Sequence, residues 1–228
     1  MIAHKKEFTG GLVMMIGFWI VFAILLSPIF GGQNLLDYMD GMYNSISKSS
    51  SYFIPATREK VEKVKGKTID LAIKVPEGEA GERRVLLLQG AGMVVESGAE
   101  EMKVTGDLSG MLDSILADAD AMFANDGEKV AGRYGFNEKE ALYGWWNILN
   151  DMEKSLNKQE NFKESKLLYQ VKTKTVEPAF NYYGIQAQSI REKAFLVIIS
   201  LGGYVIYTLW FGFAILFMFE GWGLKLEH

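Results

Sequence analysis

Residues Phe195–Phe219 read FLVIISLGGYVIYTLWFGFAILFMF, and with Ala194 they make 26 residues without a charge between Lys193 and Glu220. About 20 apolar residues in a helix span the roughly 30 Å hydrocarbon core of a bilayer. The stretch passes that test, and Trp222 just beyond it suits an aromatic anchor at the membrane–water interface. A second stretch passes at the other end of the chain. It runs from Phe8 to Leu36, 29 residues between Glu7 and Asp37, around the core LVMMIGFWIVFAILL at Leu12–Leu26. The expected fold is therefore an α+β membrane protein. Two transmembrane helices, N- and C-terminal, flank one mostly helical extracytoplasmic domain with a small antiparallel sheet.

The first stretch competes with a cleaved secretory signal, because His4, Lys5 and Lys6 resemble a basic leader. A signal carries an apolar run of about 7–15 residues and a small-x-small cleavage site. Here the run is longer and ends in Ser27-Pro28-Ile29-Phe30, which favours an uncleaved anchor. Lys5 and Lys6 in one short tail and Lys225 in the other place both tails in the cytoplasm, since the positive-inside rule weighs short tails and discounts long loops. The expected organisation is a tail at 1–8, a span at 9–30, an outer domain at 31–193, a span at 194–219 and a tail at 220–228. The layout is similar to that of bacterial sensory receptors, which points to the bacterial inner membrane with residues 31–193 periplasmic or extracellular. Tails this short bury no core, so no cytoplasmic effector is expected. Leu226-Glu227-His228 matches the start of an expression tag and carries no functional weight.

Composition excludes much chemistry. The chain has no cysteine, and its two histidines, His4 and His228, lie outside the outer domain. That domain therefore has no thiolate nucleophile, no Ser-His-Asp triad and no His-ligated metal or haem. No catalysis, no cofactor and no metal is expected. The net charge of −4, without long runs of one sign, also argues against nucleic acid, which calls for a basic face.

Within the outer domain, Leu35, Met39, Met42 and Ile46 recur at helical spacing over Asn34–Ser50, until Ser47–Ser51 (SKSSS) and Pro55 break the pattern. Arg58–Lys67 is a charged helix or extended lead-in. The period then changes to two, with Ile69, Leu71, Ile73 and Val75 on one side of a strand. Pro76–Gly81 reads as a loop, Val85–Leu88 as a continuous apolar run in the sheet, and Met93–Val95 and Met102–Val104 as short strands, which puts the sheet at about 68–105. Helices are expected at about 107–125, capped by Asp107, at 138–158, started by Asn137 and Glu140, and at 161–193, interrupted near Pro178 and Gly184.

Several motifs weaken on inspection. Gly90-Ala91-Gly92 lacks the third glycine of a dinucleotide loop, because position 95 is Val95, and reads as a tight turn between strands. Asp118, Asp120, Asp126 and Glu128 sit near Gly127, but Met122 and Phe123 fall where a calcium loop needs a ligand and a glycine. Ser45 with Lys48 and Ser155 with Lys158 fit Ser-x-x-Lys, yet the companion motifs of Ser–Lys acyl enzymes are absent.

The aromatic groups Tyr143, Trp145, Trp146 and Phe180, Tyr182, Tyr183 suit core packing or a docking surface. Trp145 and Trp146 point about 100° apart on a helix, so both are buried only if that helix is covered on two sides. In the second span Ser200, Tyr204, Tyr207 and Thr208, with Gly203 nearby, form a stripe suited to helix–helix association. Neither span holds Asp, Glu, Lys, Arg or His, which argues against a proton relay. These features point to a non-catalytic accessory or structural subunit of a membrane assembly. Its partners would be the lipid bilayer and other integral membrane subunits or further copies of itself, met through Ser200, Gly203, Tyr204, Tyr207, Thr208, Trp145 and Trp146. The alternatives are a sensor domain relaying ligand binding through two spans and a homo-oligomeric pore.

Overall fold

The computed structural model describes residues 2–98 and 100–224. Lys225 and the tag-like 226–228 lie outside the described residues. In chain order the elements are α1 (Lys5–Leu25), α2 (Leu35–Ser50), α3 (Ile54–Val61), β1 (Thr68–Lys74), α4 (Glu79–Gly90), β2 (Val94–Ser97) and β3 (Glu101–Asp107). There follow α5 (Leu108–Phe123), α6 (Gly127–Tyr134), α7 (Glu138–Lys158), α8 (Phe162–Val171), a π-helical turn (Lys172–Val176), α9 (Glu177–Asn181) and α10 (Ile190–Trp222). The chain divides into two compact units, 1–46 with 188–228, and 47–187.

In the first unit α1 and α10 run antiparallel. Their seam repeats every seven residues, the spacing at which a left-handed helix pair keeps one face inward. Gly11 and Phe18 supply it from α1, and Tyr207, Ala214 and Gly221 from α10. The backbones touch at the small residues. A Cβ on Gly11 would lie 2.7 Å from Met218 N and 2.8 Å from Ala214 O, and one on Gly221 would lie 2.5 Å from Phe8 Cα. The Phe18 ring stacks on Tyr207 with centroids 4.2 Å apart, and the Trp210 indole donates to the Met14 carbonyl at 3.1 Å. Small residues at such crossings let dispersion contacts accumulate over the backbone itself.

Outside the seam both helices are apolar and uncovered. In the most apolar 18-residue windows only 11% of α1 and 0% of α10 is buried, whereas the core helix of a soluble protein would be mostly buried. Both are long and apolar enough to cross a membrane. The helical part of the first stretch is Lys5–Leu25, so residues 26–30 of the expected span are not helical. Pro28 bars the preceding residue from the helical region, and the Ser27 hydroxyl turns back to the Ala23 carbonyl. A two-residue hairpin follows, with Gly31 and Gly32 at φ +63 and +88 between reciprocal Phe30–Gln33 backbone bonds. Such a turn needs positive φ at both central positions, which glycine supplies without strain.

The second unit is α+β, with its three-stranded antiparallel sheet in the order β1-β3-β2. Leu71 pairs with Val104, and Val104 with Val95. Ile69, Leu71, Ile73, Met102 and Val104 form the buried face, and their neighbours in sequence face solvent, as a period of two requires. Against that face lie α5 and α7, whose Leu108, Met111, Leu112, Ile115, Leu142, Trp145, Ile148 and Leu149 complete the core.

Three expectations need correction. Val85–Leu88 is helical rather than part of the sheet. Gly81, Arg84, Leu87 and Leu88 share the buried face of α4, and the Arg83–Glu79 pair supports the outer face. Gly90-Ala91-Gly92 therefore turns from a helix into a strand, not between strands. Pro55 starts α3, where its missing N–H costs nothing, instead of only ending α2.

Candidate functional site

The second unit carries a groove of about 290 Å³. One wall is Leu142, Tyr143 and Trp146 on α7, and the other is Val176, Glu177, Phe180 and Asn181 from the π turn and α9. Both sets fall at i, i+1 and i+4, with Asn181 at i+5 in the second, neighbours on one helical face. The local chemistry explains the π turn. Thr173 and Thr175 hydroxyls bond back to the carbonyls of Tyr169 and Val171, and Pro178 has no N–H to continue a regular ladder. Val176 closes the π turn and Glu177 follows it, facing Trp146 of α7, and π turns of this kind recur at functional sites.

Trp146 Nε1 donates to Glu177 Oε1 at 2.8 Å, so a carboxylate is held at the groove by its own aromatic wall. Among the described residues no Lys or Arg pairs with Glu177. Two lysines sit on nearby ring faces. Lys172 Nζ lies 5.3 Å from the Trp146 ring centre and 5.5 Å from that of Tyr169, held by Asn150 Oδ1 and Glu153 Oε2. Lys139 Nζ lies 5.9 Å from the Phe180 ring centre and 5.7 Å from that of Tyr183. Tyr183 donates to Glu138 Oε1, and burial together with that bond pushes its hydroxyl pKa up.

The expected contact residues separate. Trp145 is fully buried and donates to Asp118 Oδ2 at 2.9 Å, which makes it core rather than contact surface. Asp118, itself fully buried, also accepts from Arg133 and from the Tyr134 hydroxyl at 2.6 Å. Burial raises the Asp118 carboxyl above the usual carboxylate range, against the opposing pull of these donors. Tyr134 moves upward as well, by burial and by its bond to Asp118. Trp146, by contrast, lines the groove.

On α10, Ser200 is hydrogen bonded to the Tyr43 hydroxyl at 2.7 Å, and Tyr207 lies in the seam against Phe18. Tyr204 is 68% exposed, Thr208 bonds back to the carbonyls of Tyr204 and Val205, and a Cβ on Gly203 would meet nothing within 4 Å. The stripe thus points two ways. Only Ser200 and Tyr207 pack within the first unit.

Ser45 and Lys48 hydrogen bond to different partners. Ser45 donates to the Met42 carbonyl, whereas Lys48 Nζ donates to Asn125 Oδ1 and to the carbonyls of Tyr182 and Ile185 at 2.9, 3.0 and 2.7 Å. Burial among these neutral oxygens lowers the Lys48 pKa. Of the acidic group near Gly127, Asp118 is held by Arg133 and Asp120 accepts from Tyr52. Among the described residues no three or more acidic or histidine side chains stand close enough to hold a metal.

The sequence singled out Tyr143, Trp146 and Phe180 but not Glu177, whose place at the groove depends on the π turn. Compared with known families, characterised proteins and solved structures, the chain matches none.

Proposed function

We propose that this chain is an integral membrane accessory subunit. Its two apolar helices cross the bilayer as one antiparallel pair and hold the second unit, on the outer side, as a non-catalytic recognition domain. The observation that carries this reading is the helix pair. Its backbones close on each other at Gly11, Ala214 and Gly221 while nearly all remaining apolar surface stays uncovered. Water penalises such a surface, and lipid or a neighbouring helix accepts it. The sequence adds that the recognition domain lacks cysteine and histidine. Tyr204, Thr208 and Gly203, which face away from α1, are the positions through which another membrane helix would dock.

The test is alkaline carbonate extraction of membranes followed by native mass measurement in mild detergent. The chain should stay with the membrane and migrate with a defined stoichiometry of further helices, its own or another subunit's. Release into the carbonate supernatant would overturn it. The aromatic groove favours a second reading, in which the domain senses a small ligand.

A further inference from the structure

We propose that the groove between α7 and α9 is a binding site for a small, soluble quaternary ammonium compound of choline size. The inference concerns the second unit alone and stands or falls independently of membrane anchoring.

Three features converge. Tyr143, Trp146 and Phe180 bring three aromatic side chains to one groove, with Tyr143 61% and Phe180 36% exposed. Electron-rich ring faces attract cations, and aromatic cages are a recurring solution for quaternary ammonium groups. Glu177 sets a carboxylate among them, one oxygen held by the Trp146 indole and no Lys or Arg paired with it among the described residues. Leu142 and Val176, almost wholly buried, back the groove with apolar side chains.

Two observations narrow the class. A guanidinium prefers both oxygens of a carboxylate in one plane. Here Trp146 occupies Oε1, which disfavours an arginine side chain of a partner protein. A primary ammonium is a compact, strongly hydrated charge, and mainly apolar walls with polar groups only at Glu177, Asn181 and Tyr143 replace its hydration poorly. A trimethylammonium head asks for no hydrogen bond and spreads its charge over its methyls. The volume of about 290 Å³ is at the lower end for small-molecule sites and suits such a head with a short tail.

The experiment uses the full chain in a maltoside detergent, free of choline headgroups. Choline is titrated by calorimetry and by tryptophan fluorescence beside 3,3-dimethylbutan-1-ol, which has carbon in place of the nitrogen. Choline is expected to saturate the protein and to bind about tenfold or more tighter than the neutral alcohol. Glu177→Gln and Tyr143→Leu should each weaken choline by about fivefold or more while leaving the melting temperature unchanged, since both side chains are at least partly exposed. Trp146→Leu should abolish binding. Equal affinity for choline and the alcohol would overturn the proposal. So would choline binding indifferent to Glu177→Gln and Tyr143→Leu, tighter binding of methylguanidinium than of choline, or no saturation at all.

Discussion

Replacing Asp118 with alanine should destabilise the second unit severely. Asp118 is fully buried and joins three helices, accepting from Arg133 and Tyr134 on α6 and from Trp145 on α7. In the alanine variant the Trp145 indole N–H, buried with its ring, has no partner, and the Tyr134 hydroxyl loses its acceptor. Each stranded buried donor costs about 1–3 kcal/mol. Arg133 is 35% exposed at the side chain and turns to water, so its share is discounted. Two such donors cost about 2–6 kcal/mol together, about 4 kcal/mol at the midpoint. At about 3–4 °C per kcal/mol for a domain near 150 residues, that midpoint lowers the melting temperature by about 12–16 °C. Asp118→Asn keeps one acceptor oxygen and should lose about half as much. Thermal unfolding of the full chain in detergent, followed by near-ultraviolet circular dichroism of the tryptophans, measures both. A drop below about 3 °C for Asp118→Ala would refute the reasoning, because it would mean the three donors find other partners. Arg133→Met tests the same node from the other side. Burial already holds the Asp118 pKa above its unfolded value. A group raised in this way contributes stability below its unfolded pKa and loses it as pH rises through the folded one. The deficit of Arg133→Met at neutral pH should therefore shrink on acidification.

Glu164 carries the opposite sign. Its hydrogen bond from Lys67 holds the carboxyl below its usual range, so the stability it contributes is present above an unfolded pKa of about 4.3 and is lost as pH falls through the folded value. Glu164→Gln should accordingly flatten the acid limb of a melting-temperature profile below about pH 4, and an unaltered limb would count against the pairing. In the helix pair, Gly11→Leu must push the backbones apart at a cost of about 1–3 kcal/mol, read as a wider separation between spin labels at Ile16 and Phe213. Gly203→Leu should leave that distance unchanged and weaken assembly with a neighbouring helix, since a side chain there meets nothing in the unit.

Sequence and structure agree where the deciding chemistry is local. Asp107 accepts from the Gly110 N–H, and Asn137 from those of Lys139 and Glu140, as cap residues at those positions should. The alternation of Ile69, Leu71 and Ile73 marked β1 because one face is buried and the other wet. Four apolar residues at Val85–Leu88 hold less information, since a run that short fits a buried strand or a helix equally. The α6 helix hid behind Asn125-Asp126-Gly127, which reads as a turn and is one, with Asn125 at φ +64. In the second span the hydroxyl residues make the visible polar pattern, whereas the close contacts belong to Gly11, Ala214 and Gly221, legible only once α1 and α10 are known to pair. Trp145 and Trp146 did separate by burial, but which of them turned inward depended on Asp118, far away in sequence. The groove itself rests on a π turn whose threonines and Pro178 are individually unremarkable.

Because the chain has no cysteine, single cysteines introduced at Glu7, Lys158 and Glu220 report topology without background. All three side chains are exposed. In intact cells a membrane-impermeant maleimide should label Lys158→Cys, and should label Glu7→Cys and Glu220→Cys only after permeabilisation. Labelling of Glu7→Cys and Glu220→Cys from opposite sides, or of all three from one side, would contradict a pair of helices crossing the bilayer beneath an outer recognition domain.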